Sequence, residues 1–328
     1  MLHKIFPSGV GNSIAHSFRL ILVAEGFTQT QGPAFALACT ELVQRLILLP
    51  PFNITRVRPE WLSVYRVFVP SANAGPASGA VVAGRTAFDA AIDPGTGALT
   101  VDAVKVTADL DAQQFDDGGG AQPVAQFLRK GPLPNVGAGY LIALLLPSVA
   151  VPAQGGEYEH DPADDEYHFV ATTMNGEWHQ VIARGIGMSF GLGDEYESAG
   201  APFLAPADGI NKAMPYPNLT YFETNPTLNK DALRWRGLFS RAQLNSPAVI
   251  HAKAAGAAAA PDNSINPFPV TPGTVEFWEG GGRFRSKVFR SAKDCLMRRR
   301  IGDPALPVRT APVPFCVACR SYLKHCIE

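Results

Sequence analysis

Apolar positions along the 328-residue chain fall into a few dense runs separated by long polar, glycine- and proline-rich stretches. Phe18 to Ala24 (F-R-L-I-L-V-A) and Tyr140 to Leu146 (Y-L-I-A-L-L-L) are almost uninterrupted, the pattern of strands buried on both faces. Trp61 to Val69 alternates and predicts another strand, as does Tyr167 to Thr173. Between Ala24 and Trp61, Thr28 or Thr30 caps a helix predicted from Gln31 to about Leu49, which Pro50-Pro51 stops. Strand, helix, strand in that order predicts a parallel pair joined by a right-handed crossover. From Trp178 the period becomes helical, with Val181, Ile182, Ile186 and Phe190 on one face. Gly191 and Gly193 break that helix and deliver the acidic pair Asp194-Glu195.

The remaining stretches read more weakly. Residues 71–122 are Ala/Gly-rich and loop-like, apart from a strand-like Leu99 to Val106. They end in Asp116-Asp117-Gly118-Gly119-Gly120, a solvated turn that lacks the alternating oxygen ligands of a calcium loop. Pro123 to Arg129 suits a short helix, and Gly155 to Glu166 an acidic surface loop. After Glu197 the character shifts: residues 198–227 are proline-rich, Leu228 to Leu244 is helical around Trp235, and Ala252 to Pro261 is low-complexity. Val275 to Trp278 and Val288-Phe289 predict short strands. The division is placed at Glu197, giving lobes 1–197 and 198–328 in an α+β fold, a mixed twisted sheet with flanking helices and a loop-rich C-terminal lobe.

Composition narrows the function classes. Hydrophobic residues make up 46% of the chain, enough for a real core, while 31 Gly and 28 Pro call for many turns. Lys+Arg 28 against Asp+Glu 29 leaves a net charge of -1, which is no footprint for nucleic acid; Arg298-Arg299-Arg300 is too short to alter that. No run of about 18 apolar residues exists, so no membrane span is expected. The N-terminus has no apolar core followed by a small-residue cleavage site, which points to the cytoplasm or to export without a cleaved signal.

The segment R-G-I-G-M-S-F-G-L-G-D-E-Y-E, from Arg184 to Glu197, resembles the H-E-x-G-H-x-x-G-L-x-D-E-Y segment of the IgA-peptidase family of zinc metallopeptidases, a metzincin-like group. Other pieces are similar in the same order. They are Leu22 to Thr28, Pro51-Phe52, Val67 to Ser71, Lys230 to Leu238, Phe277 to Gly281, Cys295 to Arg298 and Phe315 to Cys319. The resemblance implies a zincin fold over roughly residues 18–325. It also implies a substrate cleft edged by the strand from Tyr167 to Thr173, to which a peptide adds by strand pairing. On that template the cleft residues are Tyr167, Phe169, Ala171, Thr173, Arg184, Met188, Asp194, Glu195, Tyr196 and Met297, with Met297 forming a floor beneath the metal position.

On the same template the zinc chemistry is dismantled. The first-ligand position holds Arg184, the general-base position Gly185 and the second-ligand position Met188; only Asp194 retains a ligand type. A guanidinium has no free lone pair, and a thioether suits Cu(I) better than Zn(II). Peptidase activity is therefore not expected, and no cofactor is. An ion pair between Arg184 and Asp194 would take over the structural job of the metal. The alternative is an active zinc enzyme with relocated ligands drawn from His179, His168, Asp194 and Glu195. The ordinary reading of His179 is a partly buried, hydrogen-bonded side chain. Gly187 to Gly191 spells G-x-S-x-G, but the helix precedes it instead of coming after, so no nucleophile elbow is expected.

Cysteine spacing leaves two chemistries open. Cys39 lies on the apolar face of the first helix and reads as core. Cys316-x-x-Cys319 with Cys295 and Cys326 fits a disulfide framework, Cys295 pairing Cys316 or Cys319, where the compartment oxidises; elsewhere free thiols or a structural zinc site fit. The functional expectation is an inactive peptidase homologue that binds protein or peptide or serves as a structural module. A subunit of a larger assembly, contacting partners through its long loops, is the third reading.

Overall fold

The computed structural model describes residues 2–7, 17–53, 61–80, 82–93, 98–116, 121–123, 139–148, 154–155, 169–193, 195, 216–221, 234–238, 241–245, 248–251, 275–282, 284–292, 295–298 and 314–327. The chain divides into two compact units, Met1–Ser189 with Ile301–Asp303, and Phe190–Arg300 with Pro304–Glu328. The division falls at Ser189 instead of Glu197, because the helix ends there and the acidic turn packs with Tyr216 and Asn218 of the second unit. Both units mix helix and sheet. No helix among the described residues is long and apolar enough to cross a membrane.

The first unit is built on strands β1 (Leu2–Phe6), β2 (Phe18–Ala24), β3 (Leu62–Val67), β4 (Ala77–Ser78), β5 (Ala91–Ile92) and β6 (Ala98–Thr100). After a small hairpin, β7 (Gln114–Asp116) and β8 (Ala121–Pro123), come β9 (Tyr140–Leu146), β10 (Gln154–Gly155) and β11 (Phe169–Thr173). Nine of these form one sheet in the order β1-β3-β2-β9-β11-β10-β6-β5-β4. Its centre, β3-β2-β9-β11, is parallel, and this is where the continuous apolar runs sit: every residue of β2 and β11 is buried. Strand β2 reaches its parallel neighbour β3 through α1 (Gly32–Leu46), as the strand–helix–strand pattern predicts.

Helices cover both faces of the sheet. On α1, Phe35, Ala38, Cys39, Leu42, Val43 and Leu46 recur at helical spacing and are buried. Gln31 returns its side-chain oxygen to the Thr28 N–H (2.9 Å), fixing the helix entry. The other face packs Ile21, Val23, Tyr65, Val67, Ile142, Leu144, Phe169 and Ala171 against Val106 and Leu110 of α2 (Ala103–Ala112). The strand expected from Leu99 to Val106 is thus corrected: it stops at Thr100. Asp102 then accepts the Lys105 N–H (3.1 Å) and caps a helix, which puts Val106 and Leu110 on one face.

A buried carboxylate ties the loop of residues 86–90 to the end of β2. Glu25 is fully buried and accepts N–H bonds from Phe88 (3.0 Å) and Ala90 (3.1 Å). Burial pushes its pKa up and these bonds pull it back. Beside it Gly26 has φ of 69°, and a Cβ there would lie 3.1 Å from the Gly75 backbone, so only glycine fits the turn.

Helix α3 (Trp178–Ser189) comes directly after β11. It packs on β9, β11 and α1, and all its residues but Met188 are buried. The amphipathic pattern from Val181 to Phe190 therefore marks a helix enclosed on nearly every side. The G-x-S-x-G match forms its last turn and the residues after it, with no strand before it and Ser189 buried.

The second unit carries β12 (Leu219–Tyr221), β13 (Ala248–His251), β14 (Val275–Gly281) and β15 (Phe284–Arg290) in the order β12-β15-β14-β13. The two short strands expected there are longer and form a hairpin, β14 antiparallel to β15. Trp235 is buried at a turn leading into a 3-10 segment, Arg236–Leu238, and helix α4 spans only Arg241–Asn245, so the long helix expected around Trp235 is interrupted. Helix α5 (Val317–Ile327), which the sequence pattern does not predict, closes the chain. The segments 124–129, 156–166 and 252–261, expected as helix, acidic loop and low-complexity stretch, lie outside the described residues, as do 117–120 of the acidic glycine turn.

Replacing Glu25 tests the tie at the end of β2. Glu25→Ala strands the buried Phe88 N–H and leaves the Ala90 N–H to Thr86 Oγ1 alone, and should cost about 2 to 4 kcal/mol, while Glu25→Gln keeps one acceptor oxygen and should cost about 1 to 2 kcal/mol. Urea unfolding read by circular dichroism checks both; an alanine variant as stable as the parent would remove this role.

Candidate functional site

The β11 residues expected to line a cleft lie in the packed sheet of the first unit. Strand β11 has neighbours on both sides, β9 in parallel and β10 antiparallel through Thr172 and Ala171, so it is not a free edge for a peptide to join. Its side chains alternate: Phe169 and Ala171 belong to the core on the α2 face, whereas Val170 meets α3. Phe169, Ala171 and Thr173 are all buried. Tyr167, His168, Asp194 and Tyr196 lie outside the described residues, so an Arg184–Asp194 pair is not defined by the structure.

On α3 the three template positions sit in packed surroundings. Arg184 is only 2% exposed and Met188 is half-buried. Gly185 faces the sheet: a Cβ there would come within 2.9 Å of Val170 Cγ1 and 3.0 Å of Leu141 Cδ2. Glycine inside a helix costs about 1 kcal/mol against alanine. Forcing a methyl into this contact costs about 1 to 3 kcal/mol, so packing outweighs propensity.

His179 is buried with its Nδ1 lacking a hydrogen-bond partner, and its ring meets Trp178 edge-on at 6.4 Å. Burial first, then the charge of Arg45 on α1, lowers its pKa to about 4; Glu41 acts the other way. Among the described residues it joins no group of metal-type ligands.

The acidic turn leads elsewhere. Gly193 lies where a Cβ would fall 2.4 Å from the Tyr216 ring, so the turn runs flush against that residue. Asn218 clamps it, accepting from Gly193 N–H (2.8 Å) and donating to Gly193 O (2.8 Å) and Glu195 Oε1 (3.0 Å). The Glu195 N–H donates to the carbonyl of the buried Met297 (3.0 Å). Tyr322 of α5 donates to Phe190 O (3.0 Å).

These bonds carry the Glu195 carboxylate to three cysteines. Glu195, Cys295, Cys316 and Cys319 are each fully buried, and their ligand atoms lie within 4.8 Å of one another. Cys319 Sγ is 3.2 Å and Cys316 Sγ 3.7 Å from Glu195 Oε1, while Cys295 Sγ is 3.7 Å from Cys319 Sγ. The Cys316 N–H points at Cys295 Sγ (3.2 Å), and Ser291 Oγ sits 3.4 Å from Cys316 Sγ. Burial, then the neighbouring Cys316, pushes the Glu195 pKa up to about 8, against the pull of Asn218 and Arg290. Burial raises Cys295 and Cys319, while hydrogen bonds from those two thiols lower Cys316. Arg290, 1% exposed, is itself anchored on the carbonyls of Ala292 (3.1 Å), Glu279 (3.2 Å) and Gly280.

Of the four C-terminal cysteines, the structure gathers three as free thiols; Cys326, half-buried near Tyr322, stands outside the group. The spacing C-x-x-C with Cys295 announced those three. Glu195 was expected as a cleft residue and as an alternative zinc ligand with His179, His168 and Asp194, not beside the cysteines, since 121 residues separate it from Cys316. Among the described residues this is the only group of three or more His, Cys, Asp or Glu side chains able to hold an ion. Three thiolates and one carboxylate favour a borderline cation such as zinc over calcium or magnesium. Compared with known proteins, the chain matches no family model and no curated protein.

Acidification should report His179. The native state holds it neutral while the unfolded chain protonates it near 6.5, so stability is present above that pH and is lost as pH falls from 6.5 toward 4. The slope from this group is on the order of 1 kcal/mol per pH unit. Urea midpoints of parent and His179→Phe at pH 7 and 4.5 check it; equal slopes would show that His179 contributes nothing.

Proposed function

We propose that the chain is a catalytically inactive relative of the IgA-peptidase type of zinc peptidase, acting as a protein- or peptide-binding or structural module. The observation that carries the reading is Gly185. Metal-assisted hydrolysis needs a base to take the proton from a polarised water. The position where the resemblance puts that base faces Val170 and Leu141 at contact distance, with no room for a carboxylate. Arg184 and Met188, on the same helix, bring no zinc ligand. The parallel β2-α1-β3 unit and a helix directly after β11 support descent from such a scaffold.

The relocated-ligand alternative has less support. Its candidate Glu195 is engaged by Asn218 and the cysteines, and His179 packs beside Trp178 under the influence of Arg45. A binding surface is not sought on β11, which pairs with β9 on one side and with β10 at Thr172 and Ala171 on the other.

The test is a labelled-casein assay on the purified chain with added zinc, with and without chelator. No chelator-sensitive cleavage is expected, and immobilised chain should retain unfolded casein or peptides or assemble into larger particles. Arg184→His/Gly185→Glu/Met188→His should lose at least about 3 kcal/mol of stability, by burying an unpaired carboxylate, without gaining hydrolysis. Chelator-sensitive turnover by the parent chain would end this reading.

A further inference from the structure

We propose that Glu195, Cys295, Cys316 and Cys319 form a closed tetrahedral site for a structural zinc ion. The inference rests on residues other than those of α3 and holds whether or not the chain is a retired peptidase.

Geometry is the first support. Zinc bonds of about 2.3 Å to sulfur and about 2.0 Å to oxygen, set tetrahedrally, separate two sulfurs by about 3.8 Å and a sulfur from an oxygen by about 3.5 Å. Here the sulfurs of Cys295 and Cys319 are 3.7 Å apart, and the two sulfur–oxygen distances to Glu195, 3.2 and 3.7 Å, bracket the second value. Thiols filling space in an apolar core have no reason to meet a carboxylate in that shape.

A second, independent observation comes from hydrogen bonding. Glu195 is fully buried, and its Oε2 has no hydrogen-bond partner. A buried carboxylate oxygen left bare costs about 1 to 3 kcal/mol or more. Asn218 donates to the other oxygen, Oε1, which is also the one the two sulfurs approach, so a cation taken by both carboxylate oxygens would meet the bare Oε2 while Asn218 orients the group. Likewise the Cys316 N–H donates to the Cys295 sulfur, the Ser291 hydroxyl lies within reach of the Cys316 sulfur, and Arg290 offsets negative charge that three thiolates and a carboxylate would bring.

Third, the donors are fixed by structure. Cys316 and Cys319 stand three residues apart at the start of α5, Cys295 opens the 3-10 turn Leu296–Arg298, and the Asn218 clamp and the Met297 carbonyl hold Glu195. All four coordination positions are filled by protein, which is the form of a structural centre; a catalytic zinc keeps a position open. On binding, the cation displaces the protons of the thiols and any on the carboxyl group, with no change of oxidation state.

The experiment is elemental analysis of the full chain isolated under reducing conditions without chelator, paired with cobalt(II) substitution. One zinc per chain is expected, and the cobalt form should show the strong visible and thiolate-to-metal bands of a tetrahedral sulfur-rich site. Asn218→Ala should weaken zinc binding about 10- to 100-fold in competition with a coloured chelator, because it acts through Glu195. Cys295→Ser should weaken it further. Because the cysteine variant could fail to fold, the cobalt spectrum of the parent decides on its own. A parent chain with neither stoichiometric zinc nor the cobalt bands, Cys295→Ser with unchanged affinity, or a native disulfide between Cys295 and Cys316 or Cys319 would each overturn the proposal.

Discussion

Four acidic donors buried side by side are the constraint on which the second unit turns. A lone buried thiol is an ordinary small apolar group, but a carboxylate beside three of them is not. Every alternative to a bound cation has a cost: neutral groups leave Glu195 Oε2 bare, and several anions would repel one another at distances below 4 Å in a medium of low dielectric. A divalent ion removes both penalties and in addition links segments 121 and 24 residues apart in sequence. Because loop-closure entropy grows only slowly with length, such a link constrains the unfolded chain strongly at either span. The clamp of Asn218 on Gly193 and the Met297 carbonyl on Glu195 are then the means of bringing a carboxylate to that place.

The first unit obeys a different rule, the burial of every α3 residue but Met188 in a helix that packs on the sheet and on α1. A helix in that position can be apolar, small or internally paired, but it cannot present a base to solvent along the face that meets β9 and β11. Gly185 shows how tight the fit is, since a single methyl would already press on Val170 and Leu141. The same crowding makes β11, the strand that the resemblance would put at a cleft edge, a core strand of the sheet. Its period of two sends Phe169 and Ala171 to the α2 face, away from the helix that comes after it.

Strong local patterns carried most of the first unit. The runs in β2 and β9 matched to the residue because parallel central strands are apolar on both faces, while the helix expected from Gln31 to about Leu49 spans Gly32–Leu46, with Thr28 capping the 3-10 turn Gln29–Gln31 before it. Between Leu99 and Val106 the alternation of apolar residues was real, but Asp102 could accept the Lys105 N–H, and the cap overrode the period. Helix α5 was hidden for the opposite reason. Its buried residues, Ala318, Cys319, Leu323 and Ile327, are few and spaced among polar ones, and the cysteines drew the reading toward cross-links instead of helical turns. The pairing of β11 on its second side was not legible because a sequence does not state its neighbours: β10, two residues long, gives almost no signal and still pairs with Thr172 and Ala171.

The candidate centre was half legible, and the missing half has a geometric reason. Four cysteines near the C-terminus invite a four-sulfur site, with Cys326 as the natural fourth member. On a helix, however, seven residues beyond Cys319 means two turns, or about 10 Å along the axis, far outside the reach of one ion. Cys316 and Cys319 can share a ligand because they flank the first turn; Cys326 cannot join them without unwinding α5. The fourth donor has to arrive from another segment. The glycine-flanked acidic turn is suited to that, since Gly193 lets the chain pass flush against Tyr216 and so brings Glu195 to the sulfurs. The residue type at the fourth position is therefore set by which backbone can approach the helix start, and a carboxylate stands there because the turn that reaches it is acidic.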